Sequence, residues 1–155
     1  MVKAQVSNAS GTATPAHRVF VYGTLRRGFR NHFLLETSRF IGEAATLQAY
    51  WMITTREFPV VLDTVPPDFG VPPLAVAGEI YHVNDSTMME LDRLEQAGHV
   101  YDRKLTDVIE AGQKVQAHIY IGVAGHWHHR RMPAWTIQNA RRELDWAPPL
   151  DESSR

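Results

Sequence analysis

The chain contains no cysteine. Disulfides, thiolate nucleophiles and cysteine-held zinc are thereby excluded, and an intracellular, cytoplasmic home is favoured. An excess of either charge is also missing: in 155 residues, 16 lysines and arginines meet 17 aspartates and glutamates, for a net charge of −1. No global field therefore draws the chain to nucleic acid or to anionic lipid. No run approaches the ~20 apolar residues of a membrane-spanning helix. The opening residues, MVKAQVSNASGTATPAH, hold no apolar core of the kind a secretory signal needs.

What is present is ordinary for one globular domain: 44% apolar and 21% charged residues, in a chain long enough to bury a core unaided. Residues 1–17 read as a flexible polar leader, 18–147 as the domain, and 148–155 as a flexible tail, because Pro148-Pro149 stops any preceding helix. Residues 18–22 read as a strand, with Val19, Phe20, Val21 and Tyr22 all strand-favouring and Gly23 ending them. A turn or two of helix is predicted in 31–38, and β-leaning segments at 45–53 and 58–62. VPPDFGVPP, 65–73, is an exposed loop, and 74–83 is a strand in which Gly78 marks a bulge or a close backbone approach.

Asn84-Asp85-Ser86-Thr87 is a cluster of capping residues, and Thr87 with Glu90 has the capping-box spacing. The helix it opens is predicted to run to about 97 and to stop at Gly98. Residues 104–110 and 114–121 form a hairpin around Ala111-Gly112. In its second strand Val115, Ala117, Ile119 and Ile121 share one face, Gln116, His118 and Tyr120 the other. A closing helix is predicted at 133–146. Five or six strands and two or three helices in irregular order, with no internal repeat, make the fold class α+β.

The helix STMMELDRLEQAG carries a carboxylate in an unexpected place. At about 100° per residue, Met88, Leu91 and Leu94 form an apolar arc, and Glu95 falls between Met88 and Leu91. A carboxylate there loses water, which raises its pKa toward that of a general acid/base working near neutrality. The other reading is that Glu95, in the last turn, reaches solvent past the helix end.

VFVYGTLRRG with Asn31-His32 beyond it, GEIYHV, ELDRLE and then VYDR occur in that order across about 18–121. Together they resemble the γ-glutamylcyclotransferase-like superfamily, and within it the γ-glutamylamine cyclotransferases and their bacterial and plant relatives. The resemblance implies a small mixed β-barrel flanked by helices. It implies a cofactor-free enzyme that turns a γ-glutamyl amine or peptide into 5-oxoproline and a free amine, an acyl transfer in which the substrate's own α-amine attacks its γ-carbonyl. By position in the motif, the general base/acid is Glu95. The substrate-binding turn is Tyr22, Gly23, Thr24 and Leu25, whose successive N–H groups make an anion-holding concavity; Gly23 lacks the Cβ that would block a ligand's approach. Tyr101 bonds the substrate or Glu95, or is a core tyrosine with a satisfied hydroxyl. Gln96 stands where the family often has glycine. The alternative function on the same fold is a non-catalytic small-molecule binding or regulatory protein.

Other features are read as structural. Arg26, Arg27 and Arg30 are too few for a nucleic-acid patch and serve surface solvation or attraction of an anionic substrate. HWHHRR, 126–131, lacks a suitably spaced third ligand and reads as a histidine-rich loop, not a metal site. Asp92 supports the helix or answers Arg103, and Trp127, Trp135, Trp146 and Met132 pack the C-terminal segment. The implied partner is a small γ-glutamyl substrate, with no nucleic acid and no membrane, and the chain is a monomer by default.

Overall fold

The computed structural model describes residues 16–54, 57–127, 136–138 and 141–147. Five strands close into a mixed barrel: β1 (His17–Val21), β2 (Arg39–Thr46), β5 (Ala77–Val83), β6 (Tyr101–Glu110) and β7 (Gln113–Gly122), in the spatial order β1-β5-β2-β6-β7. Four neighbouring pairs are antiparallel, and the seam between β1 and β7, where Val19 pairs with His118, is parallel. A separate hairpin, β3 (Trp51–Thr54) with β4 (Pro59–Leu62), packs on the barrel, and β8 (Thr136–Gln138) pairs with β9 (Leu144–Trp146). Helix α1 (Asp85–Leu94), the short α2 (Ala124–Trp127) and one 3₁₀ turn at His32–Leu35 are the remaining elements among the described residues.

The strand alternation explains the two cores. Phe20, Ile80, Val108, Ala117, Ile119 and Ile121 meet in one cluster drawn from β1, β5, β6 and β7, to which Ile41 and Ala44 of β2 add. Their neighbours in sequence, Val19, Val21, Tyr81, Val83 and Tyr120, form a second cluster with Met88 and Leu91 of α1 and Leu35. Because both faces of β1 are buried, its apolar run is continuous rather than alternating. The β6–β7 hairpin turns at Ala111-Gly112 with φ of 50° and 77°, the doubly positive geometry that fits the twist of a two-residue hairpin loop.

Several expectations are corrected. The first strand begins at His17, one residue into the predicted leader. The β-leaning segment 45–53 is the end of one strand and the start of another, since β2 runs from Arg39 to Thr46 and β3 begins at Trp51. The predicted closing helix at 133–146 is, where described, a hairpin. Leu144 and Trp146 are buried around a less buried Asp145, a period of two, and Arg142 has φ of 61°. The leader up to residue 15, the tail from 148, and Met132 and Trp135 lie outside the described residues.

Candidate functional site

Helix α1 determines where Glu95 goes. Its N-cap is Asn84, whose Oδ1 accepts from the Thr87 N–H at 2.8 Å; Thr87 thus lies inside the first turn rather than capping it, contrary to the predicted capping box. At the other end the helix stops at Leu94, not near 97. The Ala97 N–H bonds the Asp92 carbonyl and the Gln96 N–H bonds the Arg93 carbonyl, the paired bonds of a Schellman motif. Gln96 takes the left-handed position of that motif, with φ of 49°. The glycine-like backbone is therefore kept without the glycine. Having turned, the chain enters β6 at Tyr101, so Glu95 and Tyr101 open onto one space.

That space is a cavity of about 250 Å³. Its lining includes Tyr22, Gly23, Thr24 and Leu25 of the turn, Glu95 and Tyr101, and, besides others, Arg30, Phe58, Pro59 and Tyr120. All six residues singled out in the sequence meet there, although about seventy positions separate the turn from the helix end.

Their side chains play unequal parts. The Tyr22 hydroxyl donates to the Tyr120 carbonyl at 2.7 Å and accepts from the Val61 N–H at 3.2 Å, so it ties β1 to β7 and β4. Thr24 is held from both ends by Asn31: its Oγ1 accepts from the Asn31 side-chain amide at 2.8 Å and its carbonyl from the Asn31 N–H at 3.0 Å. Leu25 is buried. A Cβ on Gly23 would lie 2.9 Å from the Pro59 ring, so the close approach of Pro59 by itself requires glycine there. Among the described residues no group accepts from the Gly23, Thr24 or Leu25 N–H. Three successive donors beside a cavity call for an anion or another acceptor.

Glu95 is half-buried and lines this cavity. Burial pushes its carboxyl up from 4.5 to about 7. No described donor reaches it, and its place at the C-terminal end of α1 disfavours the ionised form in the same direction. Burial, reinforced by the Glu95 charge, holds the Tyr22 phenol far above its usual range. Tyr101 is raised too, by burial, then Tyr22, then Glu95; its hydroxyl donates to the Pro59 carbonyl at 3.3 Å. The phenols around the carboxylate are therefore neutral at physiological pH.

The arginines divide. Arg26 is not a surface residue: its guanidinium bonds the Gly23 and Trp146 carbonyls and Asp145, and lies 4.5 Å from the centre of the Phe29 ring. Arg27 covers Phe40 and faces Glu79 at 3.9 Å. Only Arg30 reaches the cavity lining, while donating to the Glu57 carbonyl at 2.9 Å. Asp92 answers Arg103, at 2.8 and 3.2 Å. Trp127 and Trp146 are buried. His126 lies in the last turn of α2, and residues 128–131 lie outside the described residues; among the described residues no group of three or more candidate ligands is placed to hold a metal. No described helix is long and apolar enough to cross a membrane. Tyr120 escaped the sequence reading because it alternates with His118 and Gln116 and so looked like a member of a solvent face.

A mixed five-stranded barrel with a glycine turn and a helix-end glutamate opening on one cavity defines a class. The chain belongs to the gamma-glutamyl cyclotransferase, AIG2-like family, whose pattern it matches over residues 19–139. A Methanocaldococcus jannaschii relative, provisionally designated a gamma-glutamylcyclotransferase, is 35% identical over 104 residues, covering 66% of this chain and 81% of that one. The mouse gamma-glutamylaminecyclotransferase is 30% identical over 115 residues, 66% of this chain and 75% of its own. The crystal structure of a mouse AIG2-like protein superposes with a TM-score of 0.62 over 88% of this chain and 99% of that one, at 24% identity, and shares the fold.

Proposed function

We propose that the protein converts a γ-glutamyl amine or peptide into 5-oxoproline and the free amine, with Glu95 carrying the proton. The reading is carried by one observation: an unpartnered carboxylate raised to about 7 shares a small cavity with three unpartnered backbone donors. The donors of 23–25 hold the substrate's α-carboxylate and fold the glutamyl chain back over Glu95. Ionised Glu95 takes a proton from the α-ammonium, and the freed amine attacks the γ-carbonyl carbon. Glu95 delivers that proton to the leaving nitrogen, whose bond to the γ-carbon breaks as the tetrahedral centre collapses. The attacking nitrogen, still bearing two hydrogens, gives one up through the same carboxylate, so the lactam keeps a single N–H and the amine departs as an ammonium. The carboxylate ends as it began, and no water is consumed.

Two physical effects supply the rate. The nucleophile is tethered to its own electrophile, so holding the folded conformer removes most of the entropic barrier. A carboxyl titrating near 7 is balanced between accepting and donating. Space of about 250 Å³ suits a glutamyl unit, with the leaving amine pointing out past Phe58 and Arg30. The test is release of 5-oxoproline from γ-glutamyl-amine and γ-glutamyl-peptide panels, with Glu95→Gln alongside. Turnover by wild type and its loss in the variant are expected. A wild type inert across both panels overturns the reading.

A further inference from the structure

The cavity wall has a polarity that the proton chemistry alone does not require. Tyr120 is buried and lines the cavity, close enough for the Glu95 charge to act on its phenol. Its hydroxyl has a single hydrogen, and that hydrogen is committed: it donates to Asp92 Oδ1 at 2.7 Å, with Met88 Sδ a weaker neighbour at 3.8 Å. Asp92 cannot turn away, because Arg103 grips both of its oxygens, Nε on Oδ1 at 2.8 Å and the second nitrogen on Oδ2 at 3.2 Å. The same guanidinium extends to His118 Nδ1 at 3.2 Å. Tyr101 follows the same pattern, its hydrogen directed to the Pro59 carbonyl. Among the lining side chains, then, the phenols of Tyr120 and Tyr101 have their hydrogens committed and can only accept, unlike Arg30, Asn31 and Gln96, which carry donors.

Phenol oxygens that can only accept suit a cation that brings its own hydrogens. Resting on the γ-glutamyl reading above, the geometry points to Tyr120 as the second acceptor for the substrate's α-ammonium, with Asp92 and Arg103 as the pair that positions its hydroxyl. Glu95 takes one ammonium proton, and Tyr120 keeps hold of another N–H. That bond limits rotation about the Cα–N bond and keeps the nitrogen on the carbonyl side when it attacks. A donor in this place would do the opposite, binding the Glu95 carboxylate and lowering the pKa the reaction needs.

The test is a cycle between one protein group and one ligand group. In the Glu95→Gln background, which prevents turnover, calorimetry compares γ-glutamyl-methylamide with glutaric acid monomethylamide, the same compound without its α-amine. Tyr120→Phe removes the oxygen and keeps the ring. It is expected to weaken the amine-bearing ligand about tenfold, the weight of one hydrogen bond to a charged group, and the des-amino ligand by less than about twofold. Asp92→Leu, which frees the hydroxyl hydrogen, lowers the same ratio, and Asp92→Asn, which keeps an acceptor for Tyr120, restores most of it. A structural role for these residues would weaken both ligands alike and leave the ratio unmoved, which overturns the assignment even where wild type releases 5-oxoproline. Failure of both ligands to bind, with no 5-oxoproline released by wild type, overturns the assignment together with the γ-glutamyl reading.

Discussion

Arg26 and Glu95 are both charged residues drawn largely out of water, and they are treated in opposite ways. The Arg26 side chain is only 11% exposed, and burial lowers its pKa, yet Asp145 and two backbone carbonyls take its hydrogens and Phe29 covers its face. Glu95 has no such company: burial raises its carboxyl to about 7, and no described donor answers it. A buried charge whose bonds are all made holds a structure together, whereas one left without partners keeps its free energy available for chemistry. The three arginines of the opening turn drew attention by their charge, but the informative group is the carboxylate that lacks a cation.

The largest effect that sharpens this contrast is on rate. Glu95→Gln is expected to lower 5-oxoproline release by at least 10²–10⁴-fold, the range for loss of a general acid/base. The wild-type kcat/KM rises with pH through about 7 as the free carboxyl ionises, well above the 4.5 of an ordinary glutamate. The stability sign is the reverse. With its folded pKa above the unfolded value of 4.5, Glu95 stabilises the fold most below that value, and the contribution is lost as pH rises to about 7. At pH 8 the Glu95→Gln variant is therefore more stable than wild type, by on the order of 1–2 kcal/mol once the cavity's access to solvent is allowed for. At pH 4 that advantage disappears. Denaturant melts at the two pH values test it, and a variant less stable at pH 8 contradicts the account of a carboxylate without partners.

Next in size is Arg26. Arg26→Met keeps bulk but leaves the Gly23 and Trp146 carbonyls and Asp145 without their donor, at a cost of about 2–3 kcal/mol. Arg26→Lys recovers little, since one ammonium cannot reach three acceptors set out for a planar fork. Urea unfolding of both variants measures this; near-wild-type stability in either would show that Arg26 is the surface residue its sequence context implies.

How much of this was legible in the sequence follows from where each signal resides. The β6–β7 hairpin showed because Val115, Ala117, Ile119 and Ile121 alternate cleanly and Ala111-Gly112 marks the turn. The start of β2 was invisible, since no residue of RFIGEAAT before Thr46 is fully buried and Gly42 interrupts its apolar character. The closing segment misled because its proline-bounded length suited a helix, while Leu144 and Trp146 carry a period of two too short to register. For Glu95 one helix wheel showed a carboxylate in an apolar arc but left open an escape to solvent past the helix end, and the resemblance of the motif, not the wheel, favoured the first reading. Tyr120 was not legible: its face of β7 is covered by α1, and a strand's own sequence does not record what packs over it.

The smallest effect concerns the backbone that carries Glu95. Two left-handed residues follow it, Gln96 at φ of 49° and Gly98 at 91°. A non-glycine residue in that region is strained by roughly 1 kcal/mol, partly offset because glycine loses more freedom on folding. Gln96→Gly is thus expected to stabilise by about 0.5–1 kcal/mol, roughly 1–4 °C in Tm for a chain of this size. Gly98→Ala is expected to destabilise by about 1 kcal/mol although nothing lies within 4 Å of the added methyl, because the penalty there is conformational and not steric. The pair separates two ways of holding a carboxylate off its preferred solvation. If the Schellman bonds and packing position Glu95, relieving Gln96 leaves the acid limb of the pH profile near 7. A limb that falls toward 4.5 in Gln96→Gly would mean that strain in the turn, rather than burial alone, keeps Glu95 away from water.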